Sequence, residues 1–110
     1  MSAFKVKGRI WIENSKGQVI GPGRNELLEA IRDNGSIKLA ANAMKMSYRH
    51  AWEMVNEINT VSDKPIIIKN AGGASGGGTI LTKEGEALIA SYKKLSAAFE
   101  KFKSQMNQIL

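Results

Sequence analysis

Apolar residues recur along this chain at two spacings, every second residue and about every 3.6 residues. Alternation comes first, in Phe4-Lys5-Val6-Lys7 and then Arg9-Ile10-Trp11-Ile12-Glu13. A turn signal follows at Asn14-Ser15-Lys16-Gly17, and Gln18-Val19-Ile20 reads as the returning strand of a hairpin. Trp11 is expected in a core or an interface. From Pro22 the spacing becomes helical. Proline suits a helix start, where its missing N–H is not needed. Leu27, Leu28 and Ile31 mark a buried stripe, and Asp33-Asn34-Gly35 ends it. Arg24 and Asn25 are expected to be solvated near the start of this helix.

Residues 35–59 form the stretch around which the rest is arranged. Ser36 is placed as an N-cap, and Ile37, Ala40, Ala41 and Met44 recur at helical spacing. After a break at Lys45-Met46, Ser47 is a second N-cap. Tyr48, Ala51, Trp52, Val55 and Ile58 then mark one apolar face, with Trp52 read as scaffold. The other face carries Ser47, Arg49, His50, Glu53, Asn56 and Glu57. The small Ala40-Ala41 pair lets two helices cross closely. This is the pattern of a helix-turn-helix, whose second helix enters a DNA major groove. A plain helical hairpin with a solvated face fits the same residues. Lys45 occupies the turn position where many such motifs place a glycine with a left-handed backbone. Either the turn differs here, or a non-glycine residue accepts a strain of roughly 1 kcal/mol, and the position argues against a standard geometry.

A second pair of strands is predicted beyond the loop at residues 60–63. Lys64-Pro65-Ile66-Ile67-Ile68-Lys69 and Thr79-Ile80-Leu81-Thr82 flank a loop, residues 70–78, that is rich in glycine. A hairpin directly after a helix-turn-helix is the wing of a winged helix. The glycine loop is not a phosphate cradle of the nucleotide-binding kind, because Gly78 is followed by a strand and not by a lysine, a hydroxyl and a helix. A glycine wing instead donates backbone N–H groups to DNA phosphates. Lys69 and Asn70 at its root are the better side-chain candidates.

Thr82 caps the last helix, with Glu84 and Glu86 opposing its dipole. Leu88, Tyr92, Leu95, Phe99, Phe102, Met106 and Ile109 fall at alternating spacings of four and three. That is a heptad seam. A helix of about 25 residues spans about 37 Å, longer than a winged-helix core is wide, so the distal seam needs a partner, unless the helix folds back on its own domain as many terminal helices do.

Composition narrows the function classes. The 110 residues suffice for one domain of modest core. No apolar run is long enough to span a membrane and no secretory leader is present, so a cytoplasmic protein is expected. There is no cysteine and one histidine, His50, so neither a metal site nor a catalytic constellation is expected, and no cofactor. Met44 and Met54 read as gap-filling core. The net charge of +6 and a pI near 9.7 favour a polyanionic partner.

Taken together, GPGRNELLEAI, GSIKLAANAMKMSYRHAWEMVNEIN and KPIIIKNAGGASGGGTILTKEG resemble the N-terminal DNA-binding domain of molybdate-responsive, ModE-type transcriptional regulators, whose helix-turn-helix is LysR-like. The resemblance runs from about Arg9 to Phe99. It implies a homodimer paired through the terminal helix with help from the N-terminal strands. It also implies DNA contacts from Ser47, Tyr48, Arg49 and His50, from Lys69, and from the glycines through Gly78. Full-length members often add C-terminal molybdate-binding domains. This chain ends at Leu110, before any such domain, which puts molybdate binding in doubt.

The expected fold is therefore α+β, a winged helix-turn-helix with a three-helix core, a wing, an N-terminal β-hairpin and a long dimerisation helix. Residues 1–82 form the DNA-binding domain and residues 83–110 the dimerisation helix of the same domain. The candidate DNA-binding residues are Ser36, Ser47, Tyr48, Arg49, His50, Glu53, Lys69, Asn70, Gly76, Gly77 and Gly78. Arg49 is the candidate base reader, with Glu53 accepting from cytosine or orienting it. The dimer seam is Leu88, Tyr92, Leu95, Phe99, Phe102 and Met106. The expected function is a homodimeric, sequence-specific transcriptional regulator of a palindromic operator, not an enzyme. Its rivals are a winged-helix protein-interaction module, a stand-alone subunit that takes its signal from another chain, and a small oxyanion sensor.

Overall fold

The computed structural model describes residues 3–70 and 78–110. Strands β1 (Ile12–Asn14) and β2 (Gly17–Ile20) form the first hairpin. Helices α1 (Pro22–Asn34), α2 (Ile37–Ala43) and α3 (Tyr48–Val61) follow. Strands β3 (Ile67–Asn70) and β4 (Gly78–Leu81) make the second hairpin, and α4 (Lys83–Asn107) closes the chain. Both hairpins are antiparallel, two-stranded sheets. This is the α+β winged-helix arrangement that the periodicities predict.

Local chemistry sets the helix boundaries. Pro22 opens α1, and Gly35 ends it at φ 75°, its N–H donating to Ile31 O at 2.8 Å. Ser36 Oγ accepts from Leu39 N at 2.9 Å to start α2, and Ser47 Oγ accepts from His50 N at 3.0 Å to start α3. Lys45, between them, sits at φ 56°. Of the two alternatives at this position, the turn keeps its left-handed residue and accepts the strain without glycine. Its strain is offset by paired backbone groups, Lys45 N to Asn42 O at 3.1 Å and Met46 N to Ala41 O at 3.0 Å.

One apolar core joins all the helices. Leu27, Leu28 and Ile31 of α1 meet Ala40 and Ala41 of α2 and Ala51, Val55 and Ile58 of α3. Ile20, Ile66, Ile67, Ile89 and Tyr92 complete it. Arg32 ties α1 to α4. It hydrogen-bonds Asp33 at 3.3 Å and pairs with Glu86 at 3.5 Å, and these partners raise its pKa further above the usual arginine value.

The start of α4 is pressed onto the lead-in to β3. Thr82 Oγ1 donates to Pro65 O at 2.7 Å and accepts from Gly85 N at 3.1 Å. A Cβ on Gly85 would lie 2.5 Å from Ile66 O. Gly85→Ala gains about 1 kcal/mol of helix propensity but must displace backbone. The expected net result is a loss of about 1–2 kcal/mol, read as a melting temperature several degrees lower.

Two sequence expectations are corrected here. Residues 4–10 form no strand. Their backbone partners are side chains of α4: Asn107 Oδ1 accepts from Val6 N at 2.6 Å, Lys103 Nζ donates to Gly8 O at 3.1 Å, and Tyr92 Oη donates to Ile10 O at 2.8 Å. At Val6, Gly8 and Ile10 the partner is a helix and not a neighbouring strand. Arg24 is not solvated. Its side chain is 16% exposed, pairs with Glu57 at 2.7 Å and donates to Gln18 O, so it joins β2, α1 and α3. Asn25 is also half-buried, its Nδ2 donating to Glu29 Oε1 at 3.0 Å.

Candidate nucleic-acid interface

The first turn of α3 stands in the open. Ser47, Tyr48, Arg49 and His50 are all exposed, and the Arg49 side chain is 90% exposed. The N–H groups at a helix start point outward along its axis and attract anions. Arg49 Nε donates to Glu53 Oε1 at 3.2 Å, one turn along. An exposed pair of this kind contributes roughly a few tenths of a kcal/mol. It aims the guanidinium without holding it back from a stronger acceptor, and its terminal amino groups remain as a donor fork. Ser36 differs in being half-buried where Ser47 is exposed; the oxygen of each caps its own helix.

Trp52 departs from the scaffold role expected of it. It is 37% exposed, and Tyr48 is 51% exposed. The buried arc of α3 is centred on Ala51, Val55 and Ile58. Trp52 lies about 100° round from Ala51, at the edge of that arc and against β3. Lys69 Nζ is 6.0 Å from the centroid of its ring.

The second hairpin is fixed to the helix-turn-helix from both sides. On the α3 side, Asn59 Oδ1 accepts from Ile66 N at 2.9 Å and Ile67 N at 3.2 Å, while its Nδ2 donates to Ile67 O at 2.9 Å. On the other side, Thr79 N donates to Gly35 O at 2.9 Å, at the α1–α2 corner. Gly78 is required there, because a Cβ would sit 2.8 Å from Gly35 O. Asn70 and Gly78 are register partners that close the described part of the hairpin. Gly76 and Gly77 lie outside the described residues.

Sequence reasoning missed Asn59, since nothing local separates a linchpin amide from any other asparagine late in a helix. Asn59→Ala strands backbone donors that are half-buried, each costing about 1–3 kcal/mol. Thermal unfolding is expected several degrees lower, with the helices retained by circular dichroism.

The heptad residues of α4 divide into two rows. Tyr92 is buried, and Phe99 and Met106 are half-buried, on the side facing residues 6–10 of the same chain. The Phe99 ring lies directly against Gly8. Tyr92 is therefore committed to its own chain's core. The other row, seven residues apart, is Leu88, Leu95, Phe102 and Ile109. Leu88 packs against the core, but Leu95 is 46%, Phe102 54% and Ile109 83% exposed.

Among the described residues, no three acidic, histidine or cysteine side chains gather to hold a metal ion, and no helix is long and apolar enough to cross a membrane.

No family profile matches the chain. Individual proteins do. It is 32% identical to the molybdenum transport protein ModE of Azotobacter vinelandii, over 99% of this chain and 42% of that protein. It is 41% identical to the transcriptional regulator ModE of Haemophilus influenzae, over 74% of this chain and 32% of that protein. To the DNA-binding transcriptional dual regulator ModE of Escherichia coli K12 it is 38% identical, over 73% of this chain and 30% of that protein. In each case the match falls in the N-terminal region of the relative. This chain is a homologue of the N-terminal region of the ModE-type regulators. It spans less than half the length of these relatives. The match to the ModE-type proteins takes in the helix-turn-helix and the hairpin behind it, the two elements that the bonds of Asn59 and Gly35 lock together.

Proposed function

We propose that this chain is a sequence-specific, DNA-binding transcriptional regulator that acts as a homodimer. One observation carries the reading: an open α3 start, with Arg49 90% exposed, stands on the same rigid unit as a hairpin root bearing Lys69. Ser47 and the start of α3 take a phosphate, Arg49 reads the O6/N7 edge of a guanine, and the hairpin holds the flanking backbone. His50 and Tyr48 flank Arg49. Glu53 orients Arg49 or accepts from cytosine N4.

The dimer forms through the exposed row Leu95, Phe102 and Ile109 of α4, begun by Leu88. Tyr92, Phe99 and Met106 support that surface from within their own chain. Two-fold symmetry then requires a roughly palindromic site. The printed name of one relative, a molybdenum transport protein, supports a link between this control and molybdenum metabolism. The role is binding, not catalysis, and calorimetry of residues 1–110 with molybdate is expected to show no heat.

The test is anisotropy of labelled duplex DNA across a salt series. Saturable binding is expected at 50 mM salt, with log affinity falling linearly against log salt. Absence of binding at low salt would contradict the reading.

A further inference from the structure

We propose that Trp52 is a positioning residue for the hairpin's phosphate-binding cation: its ring holds the Lys69 ammonium beside the start of α3 and leaves that charge unneutralised. This rests on the DNA-binding reading above.

Three observations carry it. First, Trp52 is not used up in the core. It falls in the apolar pattern of α3, yet it is 37% exposed while Ala51, Val55 and Ile58 are buried. Second, Lys69 Nζ lies 6.0 Å from the ring centroid, at the outer reach of a cation–π contact. Third, the two residues face each other across a narrow cleft of about 100 Å³, with Trp52, Val55 and Asn56 on the helix wall and Ile67, Lys69 and Thr79 on the hairpin wall. Both walls are fixed, by Asn59 on one side and by the Thr79 to Gly35 bond on the other. The lysine therefore bridges two elements whose spacing is already set.

The chemistry separates this cation from Arg49. Arg49 is oriented by a carboxylate, Glu53, which brings a negative charge of its own beside the guanidinium. An aromatic face restrains an ammonium through its quadrupole and supplies no charge of its own. The three N–H donors of Lys69 are not consumed by a hydrogen-bond acceptor at the ring. A flexible lysine is thus held near one place and presented as a full positive charge over Trp52, three residues beyond Arg49 in sequence. A DNA phosphate lying between α3 and the hairpin would meet it with little further ordering.

The prediction uses salt. Each phosphate neutralised adds about 0.9 to the magnitude of the slope of log affinity against log salt. Trp52 carries no charge, so a purely structural loss at this position leaves the slope alone. Trp52→Leu keeps apolar bulk and removes the quadrupole; Trp52→Phe keeps a ring. Trp52→Leu is expected to lower the slope by close to one phosphate, as Lys69→Met does. The double variant is expected to fall no further, and Trp52→Phe to restore most of the slope. An unchanged slope in Trp52→Leu, or additive losses in the double variant, would overturn the proposal.

A second readout needs no DNA. The chain has two tryptophans, so Trp11→Phe leaves Trp52 as the sole tryptophan, read with excitation to the red of tyrosine absorption. Adding Lys69→Met to that variant is expected to change the emission of Trp52 in the free protein. Unchanged emission would overturn the contact itself. If the emission changes while the unmodified protein binds no DNA at any salt concentration, the DNA-binding reading fails, and the positioning role fails with it.

Discussion

Replacing Arg49 by alanine is expected to weaken binding to the preferred DNA site by about 1–3 kcal/mol, roughly five- to 150-fold, and to relax preference at one base pair per half-site. Stability should barely change, because the side chain is 90% exposed and its partner Glu53 is itself 56% exposed. Arg49→Lys should not rescue, since a point charge replaces a planar fork that fits guanine O6 and N7 together. The measurement is affinity for the selected site and for single-base variants of it. An equal loss on every sequence would assign Arg49 to phosphate and remove it as the base reader. Glu53→Gln separates the two roles of its carboxylate. If Glu53 only aims Arg49, specificity at the guanine blurs and no second base pair is affected.

Phe102→Glu is the second large effect. Phe102 is 54% exposed in the single chain, and Leu95 and Ile109 continue the same row one heptad to either side. Burial of a phenylalanine or leucine side chain contributes about 1.5–3 kcal/mol, and a symmetric pairing buries each residue twice. A glutamate in the row places two like charges in an apolar contact. Sedimentation is expected to show dimer for the unmodified protein at micromolar concentration and monomer for Phe102→Glu. The fold should survive, because this row lies away from the core. Operator affinity should drop towards that of a half-site. Phe99→Glu is a harsher change, since Phe99 packs on Gly8 of its own chain, and it should also loosen residues 6–10. A monomeric unmodified protein would refute the α4 pairing.

What could be read from the chain depended on the range of the physics. The starts of α2, α3 and α4 were legible because a cap is local: Ser36, Ser47 and Thr82 each bond an N–H three residues on. Lys45 was only half legible: the turn's backbone requirement is local, but it does not say whether a lysine meets it or the turn changes, which the φ of 56° decides. Features set by distant partners were not legible. The alternation at residues 4–10 was read as a strand, yet α4 supplies the bonds from about a hundred residues away. The heptad seam of α4 was visible as a spacing, but which row faces inward is decided by that same N-terminal segment. Trp52 looked like core because periodicity locates a stripe, not its edge. Arg24 and Asn59 carry the junctions between elements, and nothing near them in sequence announces it.

These consequences converge on a dimer that reads two related half-sites. Selection of bound duplexes from a random pool, at a fixed and stated salt concentration near 0.15 M, tests that most directly. The account predicts an enriched inverted repeat with half-site centres one or two helical turns apart, and loss of the guanine preference when Arg49→Ala is used in the same selection. A pool that binds without enrichment, or that yields a single unrepeated site, would contradict it.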